Sequence, residues 1–305
     1  MPIQQFVDKD SDDWTSNILS AVIDSYSDAE GNLIGLPVGV SVKGYMVNVD
    51  YLTAAGYTLE QMTSLEKIAE AAIAAKNKNV CQYGYIPAEG SNILNMLLYQ
   101  GVNIFDKNDG YDGDVKKCLY GEGETYDALY KYCELLSDMF KVEAAMKNTN
   151  GADGGISTFV NGKAMFWATT SSFVYEFADV NMNFEWAFIP FKGIDDNAEY
   201  KDVVLAEGTG IFMGNTGDEE EMQGAYEFIK FLNRDDNQIF WCTFRGYTPS
   251  TKTALASQEW ISWRDANHPT EAALETLLNA EGTKLRYPNV TVMSKNDHAA
   301  GVLGI

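Results

Sequence analysis

The chain sets short apolar runs between longer stretches with helical spacing, and that pattern predicts most of its elements. Leu33 to Val38 and Gly44 to Val49 are compact apolar runs with the length and composition of strands. Ile68, Ala72 and Ala75 recur at helical spacing behind Ser64, which predicts a helix capped by that serine. Further helices are predicted from Ser11 to Tyr26, Asn92 to Tyr99 with a stop at Gly101, Tyr126 to Met139, Ile156 to Gly162 and Thr170 to Val180. Others run from Glu219 to Leu232 and Asp235 to Phe244, with short ones at Thr251 and Ser257 and a last one from Pro269 to near Gly282. Strands are predicted at Gln82 to Ile86, Lys163 to Ala168, Phe184 to Pro190, Val203 to Ala206 and Gly210 to Met213. Gly151 to Gly155 reads as flexible, and Phe105 to Gly113 as a loop. Strands and helices alternate, so the expected class is α/β.

Length and charge narrow the picture. A chain of 305 residues that is 46% hydrophobic has material for a sizeable core and two lobes. No repeat, low-complexity segment or linker is evident, so two lobes would be joined by strands rather than by a tether. Asp and Glu outnumber Lys and Arg by 44 to 22, a formal charge of -22 that repels nucleic acid and anionic membrane surfaces. No run of about 18 apolar residues exists to span a membrane. Met1-Pro-Ile-Gln-Gln-Phe6 lacks the basic start and apolar stretch of a signal peptide.

Signatures of reaction chemistry are few in the chain. The two histidines, His268 and His298, have no nucleophile motif beside them, and GxSxG, HExxH and a phosphate-binding glycine loop are absent. Cys81, Cys118, Cys133 and Cys242 form no CxxC pair and have no neighbouring histidine, so neither a metal nor a cofactor is expected. Cys118 and Cys133 are spaced either to bridge or to remain free thiols. Asp106 to Asp114 is rich in Asp, Asn and Gly, but its acids are out of phase with a calcium loop and read as a solvated turn.

Features suited to recognition are more numerous. The stretch Phe244-Arg-Gly-Tyr-Thr-Pro-Ser-Thr-Lys252 places Tyr247 on a rigid turn between helices. Trp167 precedes a run of hydroxyls from Thr169 to Ser172, where a strand passes to a helix start; a core tryptophan beside a capped helix is the alternative. Glu207, Gly208 and Thr209 form a glycine turn with exposed amides beside a carboxylate. Tyr99 lies near a helix end, with core packing as its alternative, and Ser41 lies between two strands, with a plain turn as its alternative.

Taken in order, four segments resemble the family 1 extracellular solute-binding proteins of ABC importers. They are Gly31-Asn-Leu-Ile-Gly-Leu-Pro-Val38 with Gly44-Tyr-Met-Val-Asn-Val-Asp50; Phe159-Val-Asn-Gly-Lys-Ala-Met-Phe-Trp167; Glu185-Trp-Ala-Phe-Ile-Pro-Phe191; and Ala225-Tyr-Glu-Phe-Ile-Lys-Phe-Leu232 followed by Arg245-Gly-Tyr-Thr-Pro249. The resemblance is nearest to the sugar and glycerol-3-phosphate binders. It implies a two-lobe periplasmic-binding-protein type II fold with strand crossovers and ligand in an interlobe cleft. Ligand contacts would fall on Tyr247, Ser41 and Tyr99, where relatives often carry Trp, and the second crossover turn on Gly208. Val38-Gly-Val40 departs from the polar residues of the family at that place.

The resemblance also implies an incomplete first lobe, with the chain trimmed at both ends. The expected division assigns residues 1–42 and 207–264 to that lobe, and 43–206 and 265–305 to the second. The implied function is a non-catalytic, monomeric, extracellular or periplasmic subunit that binds a sugar or oligosaccharide and delivers it to permease subunits. It would hold no cofactor and would reach the membrane through a lipid anchor outside this chain. A glycerol-3-phosphate or phosphodiester ligand is the alternative, needing a cation such as Lys43, Arg245 or Arg286. A glycosidase using two carboxylates and a surface interaction protein are the competing classes.

Overall fold

The computed structural model describes residues 2–87, 92–147, 151–177, 180, 182–268, 270–279 and 285–289. Its strands are β1 (Gly35–Pro37), β2 (Lys43–Asn48), β3 (Tyr83–Ile86), β4 (Ala164–Thr170), β5 (Trp186–Pro190) and β6 (Gly210–Phe212). The chain divides into two compact units. The first comprises Met1–Val42, Ser171–Tyr175 and Val203–Arg286; the second comprises Lys43–Thr170, Glu176–Asp202 and Tyr287–Ile305.

The second unit is built on a sheet of order β3-β4-β2-β5. Strand β2 pairs antiparallel with both β4 and β5, while β3 joins β4 in parallel. Tyr45, Met46 and Val47 are all buried, which explains why β2 is a continuous apolar run rather than an alternating one. The Tyr45 ring lies 4.8 Å from Phe191 and 6.2 Å from Tyr85. The helix Leu65–Asn77 starts as expected, with the Ser64 hydroxyl accepting from the Lys67 amide, and packs on β3. At Gly84 a Cβ would run into the Ala72 backbone, so glycine permits this close helix–strand approach. Gly101, at φ +89°, follows the helix Asn92–Gln100. The helix Gly151–Val160 begins inside the stretch expected to be flexible, and a Cβ at Gly155 would stand 2.7 Å from Trp167 Nε1. Close packing on β4 therefore uses that glycine. Thr170 belongs to β4, and Ser171–Phe177 forms a 3₁₀ segment where a helix was expected.

In the first unit β1 and β6 form a two-stranded antiparallel sheet with Gly35 opposite Phe212. The helix Glu219–Leu232 has the expected bounds. Asp218 caps it by accepting from the amides of Glu220 and Glu221 at 2.9 and 3.2 Å, and three glutamates occupy the first turn. The helices Asp235–Arg245, Lys252–Leu255, Gln258–Asn267 and Glu271–Leu278 follow, around the fully buried Trp260.

Three expectations fail here for non-local reasons. The single helix from Ser11 to Tyr26 is instead a 3₁₀ turn, Trp14–Asn17, and a short helix, Ser20–Ser25. Between them Ile18 bridges to Thr251, and the Leu19 amide donates to the Ser250 carbonyl at 3.0 Å. Residues 203–206 form no strand; Val204, Leu205 and Ala206 are buried as a loop. Residues 265–286 fall in the first unit, not with the second, because Glu271–Leu278 packs against Ser20–Ser25 and Gln258–Asn267. Pro269, Gly282 and His298 lie outside the described residues.

Candidate ligand-binding site

Five of the seven candidate residues lie in the first unit, and backbone pairing brings them together. From β1 the chain runs through Gly39 to Val40 and Ser41. Val40 exchanges both backbone hydrogen bonds with Thr248, each at 2.8 Å. Ser41 exchanges both with Glu207, at 2.8 and 2.9 Å. Two adjacent residues thus join the Tyr247 turn to the Glu207 turn. Gly39 fits because a Cβ there would meet Cys242 Sγ at 2.7 Å, and a Cβ at Gly208 would meet the Gly39 carbonyl.

Tyr26 ties the same residues from below. Its hydroxyl donates to the Gly208 carbonyl at 3.3 Å. Burial pushes its phenol well above the usual tyrosine range, and the charges that Glu207 and Tyr247 carry when ionised add to the shift. Ser41 and Glu207 are buried, Gly208 and Tyr247 half-buried, and Thr209 exposed. The Tyr247 ring stacks on Trp241 with centroids 6.5 Å apart.

The turn that carries Tyr247 is held on several sides. Gly246 has φ +69°, and a Cβ there would meet the Ser172 carbonyl at 2.5 Å and the Tyr175 amide at 2.9 Å. The Arg245 guanidinium lies over the Tyr175 ring at 4.9 Å and the Phe244 ring at 5.8 Å. Among the described residues it has no carboxylate within 4.0 Å. Ser250 is fixed by Gln238, whose side-chain oxygen accepts from the Ser250 amide and hydroxyl, both at 2.9 Å.

Beneath Thr248 lies a buried polar cluster that sequence reasoning missed. The Thr248 hydroxyl donates to Glu271 Oε1, and Glu271 Oε2 stands 3.1 Å from His268 Nε2. Glu275 accepts from Trp260 Nε1 at 2.6 Å and from Arg264 at 2.8 Å. Burial pushes Glu271 up to about 7 and His268 down to about 4, so between those values it favours a neutral acid beside a neutral imidazole despite their ion-pair spacing. Its only signal in the sequence was the spacing of a histidine and a glutamate three residues apart.

The remaining two candidates belong to the core of the second unit. Tyr99 is fully buried, and Trp167 is 3% exposed with its ring 6.1 Å from Phe159. The packing alternatives describe both side chains as they stand. Among the described residues no group of His, Cys, Asp and Glu has the arrangement of a metal site. The calcium-like loop uses its own acids: Asp106 accepts from the amides of Lys116 and Lys117, and Asp109 from those of Ile104 and Phe105. Cys118 and Cys133 are exposed free thiols. A cavity of about 340 Å³ in the second unit, lined by Lys76, Tyr83, Glu143 and Lys147 among others, holds none of the candidate residues.

Comparison with known proteins agrees with this architecture. No curated protein sequence matches the chain. Solved structures give the fold, that of two-lobe periplasmic binding proteins. Maltose-bound MalE3 of T. maritima matches with TM-score 0.70 at 16% identity, over 95% of this chain and 70% of that one. A solute-binding protein from Agrobacterium radiobacter K84 in complex with ribitol matches with TM-score 0.69 at 16% identity, over 100% of this chain and 75% of that one. UgpB from Mycobacterium tuberculosis in complex with glycerophosphocholine matches with TM-score 0.68 at 15% identity, over 94% and 68%. The sequence itself matches the family described as bacterial extracellular solute-binding protein over residues 2–270. The chain belongs to that family, whose members bind solute outside the cell and perform no chemistry on it.

Proposed function

We propose that the protein is the solute-binding component of an ABC importer and that its solute is a sugar or oligosaccharide. The observation that carries this reading is the convergence of Ser41, Glu207, Gly208 and Tyr247 around Tyr26 within one unit. An aromatic ring there suits the apolar face of a sugar, while the half-buried Gly208 and the exposed Thr209 beside it suit its hydroxyls. The relatives that bind maltose and ribitol support it by analogy of fold. In this reading Tyr99 and Trp167 support the second unit from within and do not touch ligand. The protein acts as a monomer that hands its solute to permease subunits.

A second reading has one observation in its favour. Among the described residues Arg245 is a guanidinium without a carboxylate partner in a chain of net charge -22, and it stands two residues before Tyr247 on the same turn. A phosphodiester such as glycerophosphocholine would find its counter-charge there.

Calorimetric titration with maltose, ribitol and glycerophosphocholine separates the two. The sugar reading expects maltose or ribitol to bind and to be recovered unchanged by mass spectrometry. Tyr247→Ala should then weaken binding at least about tenfold, the loss of a well-packed aromatic anchor. Binding of glycerophosphocholine alone, lost in Arg245→Gln, would replace the sugar reading with the second. Conversion of any of them to product would overturn both.

A further inference from the structure

We propose that Glu271 is a positioning residue for ligand binding: through Thr248 it fixes where Tyr247 stands. The inference rests on the reading above that Tyr247 meets the solute. Glu271 is itself 1% exposed and out of a ligand's reach, so any influence must pass through what it holds.

Thr248 is the link. Its backbone is locked to Val40 in both directions, and its side chain is locked to Glu271, so the residue has no free group left. Tyr247 is its immediate neighbour and follows Gly246, whose left-handed backbone leaves the turn dependent on external contacts. One of those contacts is Ser172 and Tyr175 against Gly246; another is the Gln238–Ser250 pair beyond Pro249. Glu271 provides the anchor directly behind the ring-bearing residue.

The anchor also has two states. The groups facing Glu271 are Thr248 from the turn, His268 at the end of Gln258–Asn267, Glu275 on its own helix, Arg264 across from Glu275, and Cys242 on Asp235–Arg245. As a neutral acid, Glu271 accepts from Thr248 with Oε1, while its Oε2 stands 3.1 Å from His268 Nε2 without hydrogen-bond geometry between them. Losing the acid proton puts a second negative charge beside Glu275 in a buried setting, with the nearest cation, Arg264, already on Glu275. Relief comes by moving the carboxylate, and Thr248 moves with it. The group titrates at about 7, within reach of ordinary buffers.

The test reads the turn with and without solute. Amide NMR resonances of Gly246, Tyr247 and Thr248 are followed against pH in the free protein. They should shift together with a midpoint near that of Glu271, and the shift should vanish in Glu271→Gln. Thr248→Val should uncouple Tyr247 from the titration, and Thr248→Ser should restore it. Maltose affinity of the wild type should weaken by roughly tenfold across the same transition, about the net worth of one hydrogen bond misplaced by the shifted turn, and Glu271→Gln should flatten that dependence. Resonances that stay put, or that titrate equally in Glu271→Gln, overturn the proposal. So does a turn that titrates while maltose affinity stays constant. Should the wild type bind neither maltose nor ribitol at any pH, the sugar reading fails, and the resonances still decide whether Glu271 positions Tyr247.

Discussion

The buried His268–Glu271 pair makes a prediction about stability that hides in the wild type and appears in two variants. Glu271 holds its proton from its ordinary 4.5 up to about 7, so over that window the folded state binds a proton that the unfolded state lacks, and stability falls as pH rises. His268 refuses its proton from its ordinary 6.5 down to about 4, so there the unfolded state binds the extra proton, and stability rises with pH. Between pH 4.5 and 6.5 the two slopes oppose each other, and the pair contributes almost no net dependence. Remove one partner and the other is uncovered. In His268→Gln, stability should fall by about 2 kcal/mol relative to wild type from pH 4.5 to 6.5; in Glu271→Gln it should rise by about as much, 1.36 kcal/mol per pH unit less the partial titration at each end of the window. The rise in Glu271→Gln will be slightly altered because Glu275 loses a neighbour that raises it. Urea unfolding followed by tryptophan fluorescence, at several pH values in that window, measures both. Profiles parallel to wild type in both variants would refute a neutral buried pair, and tilts of the same sign would refute the assignment of which group is raised and which lowered.

Other expectations follow from the same geometry. Gly246→Ala adds a Cβ against the Ser172 carbonyl and Tyr175 amide at φ +69°, and should destabilise by roughly 2–5 kcal/mol in chemical denaturation; a loss under about 1 kcal/mol would mean the turn relaxes freely. Gln238→Ala strips the Ser250 amide and hydroxyl of their acceptor in a buried site and should cost about 3–5 kcal/mol, with Gln238→Glu recovering part of it. Asp10 accepts from Lys230 and Tyr226, which hold its carboxyl down to about 2, so NMR titration should place it there and not near its ordinary 3.8. The stability it lends is present above pH 3.8 and lost as pH falls through about 2, and Lys230→Met should return the midpoint toward normal.

Much of the fold was legible because it is written locally. The helix Glu219–Leu232 carries its own cap and first-turn acids, and the helix Leu65–Asn77 carries Ser64. The apolar run of β2 identified a strand buried on both faces. What was not legible is what distant segments impose. Ile18 leaves its helix because Thr251 and Ser250 bond that stretch, and residues 203–206 are apolar because they are covered, not because they pair. Gly151 to Gly155 looked mobile because composition does not show that Gly155 must admit an indole. The candidate site divides the same way. Ser41, Glu207, Gly208 and Tyr247 emerged from turn chemistry and family order, and the first unit gathers them. Tyr99 and Trp167 are aromatics at element ends, where the pattern for packing and the pattern for recognition coincide. Gln238 and Glu271 escaped notice, and His268 was named without a role, because a buried polar residue on or beside a helix is indistinguishable from a solvated one until its neighbours are known.

The pairing of β1 with β6 has a consequence for how the molecule is made. Gly35 must find Phe212, and Val40 must find Thr248, across a stretch that contains nearly the whole second unit. During synthesis the opening 42 residues emerge long before their partners, while the sheet partners of Lys43–Asn48 are complete by Pro190. The second unit can therefore condense first and shorten the loop that the first unit has to close. Until the ribosome has passed Glu207 to Phe212, the segment from Gly35 to Ser41 waits with its backbone unpaired, an open strand edge in the newborn chain.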